Sequence, residues 1–148
     1  MKRAGSLPSP ESQVGRTLCG MATWDDVSRL ALSLPRVVEG SDTNGLKWEI
    51  SRRYFAYERP VRRRDLEELG DAMPTGDLLG VLVPDLADKL GLIGSDPEVF
   101  FTMPRYAEYP AVLVILDRVS LDQLNEVLIE AWLCRAPKRL AAEYLAGR

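Results

Sequence analysis

Two short segments of apolar residues, 78–83 and 111–116, most constrain what this chain can fold into. The second reads AVLVIL and is the longest unbroken apolar run in the 148 residues. A helix needs about 18 or more such residues to span a bilayer, so neither segment predicts a membrane span, and we expect a soluble, cytoplasmic protein. Apolar runs of this length are typical of buried strands. They predict two strands of one sheet, with 78–83 at its centre.

The N-terminal half contains one helix pattern and one hairpin pattern. After the predicted N-cap Thr23, apolar residues recur at spacings of three and four until Pro35, which predicts a helix. Residues 39–45 read as a turn cluster. Residues 46–50 then alternate apolar and polar side chains, as in a half-buried strand. A turn at 51–53 predicts an antiparallel return strand over 54–59.

The C-terminal half continues the alternation of elements. A charged link over residues 60–77 precedes the strand predicted at 78–83. The pattern of residues 85–92 predicts a short helix. Strands follow at 99–102 and 111–116. Ser120 and Gln123 form a capping-box pattern that begins the last long helix. Pro137 interrupts that helix, and 138–145 add further helical turns.

This order of elements is α-β-β-β-α-β-β-α. Short links between successive strands favour antiparallel neighbours. We therefore expect an α+β fold, a two-layer domain with helices packed on one face of an antiparallel sheet. Residues 1–20 lack periodicity and the apolar core of a signal peptide, and we expect them to be a flexible leader before a single domain over 21–148. Met21 is a hypothetical alternative translation start.

The absence of histidine excludes several kinds of chemistry. Ser-His-Asp and Cys-His catalysis, His-ligated zinc and the usual general base near neutral pH all require an imidazole. Two cysteines, Cys19 and Cys134, are too few for a four-thiolate site, and we expect Cys134 to be an inert buried thiol. No phosphate-binding glycine motif or EF-hand loop occurs. We expect no catalysis, no metal and no cofactor.

Charge is distributed unevenly along the chain, although the net charge is only −3. Residues 47–64 hold seven basic and two acidic side chains, a net charge of +5, whereas residues 65–98 hold nine acidic side chains and one lysine, a net charge of −8. A basic hairpin with interleaved tyrosines is suited to neutralising the phosphates of DNA. The candidate nucleic-acid-binding residues are Arg52, Arg53, Arg59, Arg62, Arg63, Arg64, Lys138 and Arg139.

An alternative interpretation of these arginines stays open. Arg62, Arg63 and Arg64 have the spacing to pair with Asp65, Glu67 and Glu68 on an exposed helical turn. The sequence pI of about 5.1 is also unlike that of most dedicated DNA-binding proteins. In that case the basic segment is a solvated surface. A separate hypothesis for the function is an adaptor that binds a protein partner through an exposed sheet or helix face, which requires an exposed apolar patch.

The segment FFTMPRYAEYPAVLVIL, residues 100–116, is the second candidate site. Its two prolines restrict the backbone of a chain reversal, its tyrosines suit rings packed against the end of the sheet, and Arg105 is expected to project as a forked cation. One interpretation is a rigid connector. The other is a small anion-binding pocket formed by Thr102, Arg105, Tyr106 and Tyr109.

Three blocks, MATWDDVSRLALSLPRV, DPEVFFTMPRYAEYPAVLVIL and EAWLCRAPKRL, resemble the MmcQ/YjbR-like family of small bacterial proteins, from about Met21 to the C-terminus. The resemblance implies the order of elements given above and a likeness to a double-wing DNA-binding fold. Many similar proteins have the pattern F-x-T-x-P-H-Y. Arg105 stands here in place of that histidine, so any role of an imidazole at this position is absent.

Overall fold

The computed structural model of the protein describes residues 22–147. The predicted leader over 1–20, the alternative start at Met21 and Cys19 lie outside the described residues. Helix α1, Trp24–Leu32, begins at the predicted N-cap, where the backbone N–H of Asp26 donates to Thr23 Oγ1 at 3.2 Å. The backbone N–H of Ala22 donates to the carbonyl of Leu116 at 2.9 Å, which ties the first described residue to the sheet.

Six strands form one antiparallel sheet in the spatial order β1-β2-β3-β4-β6-β5. The strands are β1 Val38–Asp42, β2 Gly45–Ile50, β3 Arg53–Glu58, β4 Leu78–Leu82, β5 Phe100–Phe101 and β6 Ala111–Ile115. Both apolar segments are strands in which every residue is buried, and they pair with each other. These strands could be predicted from their apolar residues because a strand that is buried on both faces needs no polar residue.

Four further helices accompany the sheet. They are α2 Arg63–Leu69, α3 Leu86–Ser95, α4 Leu121–Arg135 and α5 Lys138–Ala146. The predicted capping box of α4 is present, with the backbone N–H of Gln123 donating to Ser120 Oγ at 3.0 Å. Helix α4 packs against β3 and β4, α1 packs on α4, and α3 packs against β5 and β6. Pro137 separates α4 from α5.

The sheet buries side chains on both faces. The main core lies between the sheet and helices α1, α3 and α4, and is centred on Trp48, Phe55 and Trp132, none of which is exposed. Leu113 and Ile115 alternate with main-core residues along β6 and therefore point to the opposite face, where they form a small second core with Met73, Leu78 and Met103. This second face, shielded only in part, is where the candidate site lies.

The expected α+β fold with an antiparallel sheet is confirmed, and the structure adds two elements to the predicted order. The turn cluster over 39–45 contains edge strand β1, whose five residues are all exposed. It lacks a periodic apolar pattern because neither of its faces is buried. The charged link over 60–77 contains α2, in which the only buried residue is Asp65. A helix without an apolar face gives no periodic signal.

The hairpin between β2 and β3 turns through only two residues, Ser51 and Arg52. Their φ angles are 54° and 66°, as a type I′ turn requires, and this turn favours Asn-Gly. The left-handed conformation costs a non-glycine residue about 1 kcal/mol. We expect Ser51→Asn combined with Arg52→Gly to raise the free energy of unfolding by about 1 kcal/mol in a denaturant titration.

The control for this substitution is Arg53→Gly, which places glycine in the strand beside the turn, where φ is not positive. That change is expected to lower the stability by about 0.5–1 kcal/mol, because glycine is unfavourable inside a strand. A turn variant no more stable than the original protein contradicts the expectation.

Candidate nucleic-acid interface

A β-bulge in strand β3 places two tyrosines on the same face of the sheet. Trp48 pairs with Ala56 and Glu49 pairs with Tyr54, so Phe55 is the extra residue. Phe55 and Ala56 both lie in the main core, whereas Tyr54 and Tyr57 point to the opposite face. Their rings contact edge to face, with centroids 5.3 Å apart. Bulges of this kind redirect side chains, and they are over-represented near active sites.

Gly80 of β4 provides the space for one of these rings. It lies opposite Tyr57 in the sheet, and a β-carbon at position 80 would lie 2.3 Å from Tyr57 Cζ. The phenol ring therefore lies directly against the backbone of the central strand. Glycine inside a strand is unfavourable unless something must approach closely, and here the close partner is a tyrosine of the candidate site.

The chain reversal at 102–109 lies opposite Tyr54 and Tyr57 on the same face of the sheet. Pro104–Tyr106 form a single 3₁₀ turn, and Lys89 of α3 fixes the loop from beneath. Its Nζ donates to the carbonyls of Tyr106 at 2.7 Å and Tyr109 at 2.6 Å. The Lys89 side chain is buried, and this burial lowers its pKa. The backbone of the loop is thus held independently of its exposed side chains.

The tyrosine cleft is the cavity between strand β3 and this loop. It has a volume of about 230 Å³. Its polar lining consists of Tyr54, Tyr57, Tyr106, Tyr109, Arg59 and Thr102, and its apolar lining of Met103, Ala111 and Leu113. The hydroxyls of Tyr54 and Tyr109 lie 3.0 Å apart across the cleft. This hydrogen bond, together with burial, raises the pKa of Tyr109 to about 12, so the phenol is neutral at physiological pH.

The basic groove adjoins the tyrosine cleft and shares part of its lining. It has a volume of about 450 Å³ and shares Tyr54, Tyr57, Arg59 and Tyr106 with the cleft. Five cationic side chains line it against two carboxylates, those of Glu58 and Asp65. The cations are Lys47, Arg59, Arg62, Arg64 and Arg105. Arg105 and Arg59 also lie over the ring of Tyr106, at 5.0 and 5.9 Å from its centroid.

Asp65 organises the cations of this groove. Its carboxylate is fully buried and accepts two hydrogen bonds from Arg59, at 2.9 and 3.0 Å. It also accepts from Arg105 and, at 2.8 Å, from the backbone N–H of Arg62. Burial alone would raise the pKa of Asp65, but the hydrogen bonds and the two positive charges outweigh it, so its pKa lies below the ordinary value of 3.8.

The cations differ in how far their charges are compensated within the protein. Lys47 pairs with Asp42, and Arg105 Nε lies 3.1 Å from Glu68 as well as pairing with Asp65. Arg62 donates to the neutral Asn44 Oδ1. Arg62 and Arg64 are exposed, and neither forms a salt bridge with another residue of 22–147. These two arginines hold the uncompensated charge of the groove.

The predicted nucleic-acid-binding residues are therefore dispersed over several elements. Arg59, Arg62 and Arg64 line the groove, although the last two belong to the start of α2 and not to the hairpin. Arg52 and Arg53 are exposed at the hairpin turn. Arg63 pairs with Glu67 at 3.5 Å on the exposed side of α2, as the alternative interpretation expected.

The second basic group lies elsewhere. Lys138 and Arg139 begin α5 and line neither the groove nor the cleft. Arg139 is 93% exposed and lies 3.7 Å from Glu143, and it lines a separate surface depression with Arg36. The structure does not bring this group together with the arginines of the groove.

The predicted anion-pocket residues Thr102, Tyr106 and Tyr109 all line the tyrosine cleft. Arg105 does not project freely as expected, because Asp65 and Glu68 hold its guanidinium. Thr102 Oγ1 lies 3.4 Å from the Tyr106 carbonyl. Tyr57 was expected as one of the interleaved tyrosines of the hairpin, whereas Asp65, Lys89 and Gly80 were not predicted to be parts of the site. Only Gly80, a glycine within an otherwise bulky apolar strand, gave a signal that could have indicated a close approach.

The expectation of a protein partner requires an exposed apolar patch. Leu86 and Leu90 are one turn apart on α3 and are 41% and 69% exposed. They lie on a helix that borders a groove of about 400 Å³ between α3 and α4. Nothing further in the structure identifies a partner there, so this function stays a prediction.

No group of three or more cysteine, aspartate and glutamate side chains within residues 22–147 is arranged to hold a metal ion. No helix in the same range is long and apolar enough to cross a membrane. Cys134 is partly buried, and burial raises the pKa of its thiol.

The fold and the site together define a small α+β protein with a tyrosine-lined cleft beside an arginine-rich groove. No protein-family model matches the chain. Its sequence is similar to the uncharacterized proteins Rv2570 and MT2646 of Mycobacterium tuberculosis and Mb2600 of Mycobacterium bovis. Each is 43% identical over 130 residues, which cover 86% of this chain and 98% of the relative. The chain belongs to the family of these mycobacterial proteins.

The fold is similar to that of a solved structure. The crystal structure of Deinococcus radiodurans protein DR2400, a DUF419 domain, matches with a TM-score of 0.56 over 83% of this chain and 88% of that chain. The sequence identity is 20%, so the similarity concerns the fold alone. None of these proteins is described as MmcQ/YjbR-like, and that resemblance stays a prediction.

Loss of the Asp65 charge should destabilise the protein. In Asp65→Asn the guanidinium groups of Arg59 and Arg105 lose their shared counter-charge. We expect the free energy of unfolding to fall by roughly 3 kcal/mol at neutral pH. This value is near the lower end of the range for a broken buried ion pair, because the arginines keep some contact with solvent. The measurement is urea unfolding. The matched control is Glu67→Gln, which breaks an exposed pair and should cost less than about 0.5 kcal/mol.

The pH dependence of this loss follows from the lowered pKa. The Asp65 carboxylate stabilises the fold fully above its unfolded-state pKa of 3.8, and that stabilisation disappears as the pH falls from this value through the lower folded-state pKa. The difference between the original protein and Asp65→Asn should therefore shrink below pH 3.8. A difference that is constant across this range contradicts the assignment.

Proposed function

We propose that this chain is an MmcQ/YjbR-like, non-enzymatic protein that binds nucleic acid through the basic groove. One observation carries the proposal: five cationic side chains, from β2, from residues 59–64 after β3 and from the 104–106 turn, converge on one groove beside four tyrosines. Arginine forks suit the paired oxygens of phosphate. Aromatic side chains beside a cationic track are typical of proteins that hold nucleic acid without reading its sequence.

The acidic composition of the chain does not oppose this proposal. Asp85 caps the N-terminus of α3 and Asp88 belongs to it. This helix packs on the main-core side of the sheet, away from the groove. Asp65, Glu67 and Glu68 each pair with an arginine. Screening limits exposed charges to about 8 Å at physiological ionic strength. Arg62 and Arg64, together with Arg52 and Arg53 at the hairpin turn, are therefore able to act locally on an approaching phosphate backbone.

The proposal predicts binding that weakens with salt. If about four arginines contact phosphates, log K should fall with log salt at a slope of about −3.6 for duplex DNA and about −2.8 for a single strand. Fluorescence anisotropy of a labelled oligonucleotide at several salt concentrations measures this slope. Arg62→Ala with Arg64→Ala should reduce its magnitude by about 1.4 on a single strand, because two phosphate contacts are lost.

The matched control is Lys138→Ala with Arg139→Ala, which removes the same charge from a surface outside the groove. This variant should retain nearly the original slope. Equal losses in the two double variants would show that only the overall charge matters. Absence of binding at low salt, where the electrostatic attraction is strongest, would exclude the proposed function.

A further inference from the structure

The tyrosine cleft differs from the basic groove in the kind of contact it offers. Its two most exposed rings are those of Tyr106 and Tyr109, at 43% and 40% exposure. Among the described residues that line the cleft the cation is Arg59, which is paired with Asp65. Arg135 lies 6.0 Å from the centroid of the Tyr54 ring but does not line the cleft. The cleft thus presents flat aromatic surface and neutral hydroxyls.

The size of the cleft limits what enters it. At about 230 Å³ it is smaller than the roughly 300–1,000 Å³ of pockets that hold drug-sized ligands. A single planar group fits this description better than an extended molecule does. The shared lining residues Tyr54, Tyr57, Arg59 and Tyr106 place the cleft directly beside the groove, so a planar group attached to a phosphate backbone reaches both.

We propose that the tyrosine cleft binds one unpaired base of a single strand whose phosphates lie in the basic groove. This inference rests on the proposed function and names the form of its ligand. In a duplex the faces of the bases are covered by their stacked neighbours, whereas an unpaired base exposes a face that stacks on an aromatic ring. The phosphates of a double-stranded nucleic acid can contact the groove, but its stacked bases expose no face that could bind in the cleft.

The structure indicates which substitutions separate stacking from folding. Lys89 holds the loop through the backbone carbonyls of Tyr106 and Tyr109, so exchanging these exposed side chains leaves its hydrogen bonds in place. Tyr109→Leu removes a ring that lines the cleft but not the groove, and it keeps apolar volume. Tyr109→Phe keeps the ring and removes only the hydroxyl, and it serves as the matched control. Circular dichroism and urea unfolding establish that each variant is folded.

The experiment compares three labelled probes of equal length by fluorescence anisotropy. They are an oligothymidylate strand, the same strand with abasic sites throughout its centre, and a duplex. We expect the oligothymidylate to bind at least about fivefold more tightly than the abasic strand, since stacking of one base is worth that much or more. Tyr109→Leu should reduce this advantage on oligothymidylate and bind the abasic strand as before, because Tyr109 does not line the groove. Tyr109→Phe should keep the advantage, because the ring is retained.

The outcomes distinguish the two proposals. Abasic strand or duplex binding as tightly as oligothymidylate, with the salt slope intact, overturns the base-binding cleft and leaves the groove as the contact surface. The same holds if the leucine variant weakens all three probes equally. If no probe binds with a salt-dependent affinity, the proposed function fails and the cleft proposal fails with it.

Discussion

The buried carboxylate of Asp65 is the interaction on which the architecture of the candidate site depends. It joins Arg59, just after β3, and the backbone at the start of α2 to Arg105 in the 104–106 turn, 40 residues further along the chain. A buried carboxylate is tolerated only if its charge is paired and hydrogen bonded, and here two guanidinium groups and a backbone N–H supply those contacts. The same arrangement fixes Arg59 and Arg105 beside the ring of Tyr106, where Arg59 borders both cavities and Arg105 borders the groove.

The tyrosine surface depends on a different constraint, the geometry of the central sheet. Without the bulge at Phe55, the two-residue period of a strand would place Tyr54 and Tyr57 on opposite faces. The extra residue directs Phe55 and Ala56 together into the main core and leaves both tyrosines on the second face. Gly80 then allows the Tyr57 ring to lie against β4. The aromatic cleft is thus a consequence of one inserted residue and one missing side chain.

Sequence patterns predicted the elements that bury a regular apolar face. Strands 78–83 and 111–116 and the capped helices α1 and α4 are of this kind, because burial imposes a period or a continuous run. Strand β1 and helix α2 were not predicted, since their residues are almost all exposed and their positions depend on hydrogen-bonded neighbours. The bulge could not be predicted from the sequence pattern either, because nothing in residues 53–58 marks one of them as extra.

For the candidate site, the sequence pattern predicted the types of residue involved but not how they are grouped in space. The arginines and tyrosines were recognised as unusual, but their grouping depends on contacts between segments about 40 residues apart in the chain, such as that of Asp65 with Arg105. Arg105 was expected to be a free cation because a sequence shows the charge of a side chain and not its partner. The structure instead leaves Arg62 and Arg64 uncompensated, although they belong to a run whose third member, Arg63, is paired.

The groove and the cleft are proposed to form one continuous surface for a nucleic-acid strand, and an NMR titration of the ¹⁵N-labelled protein with a short oligothymidylate measures whether they do. Chemical-shift changes are expected to concentrate at Tyr54, Tyr57, residues 62–65 and residues 104–109, and to saturate together with one affinity. Changes confined to α3 and α4 or to α5, or the absence of any saturable change at low salt, would contradict this proposal.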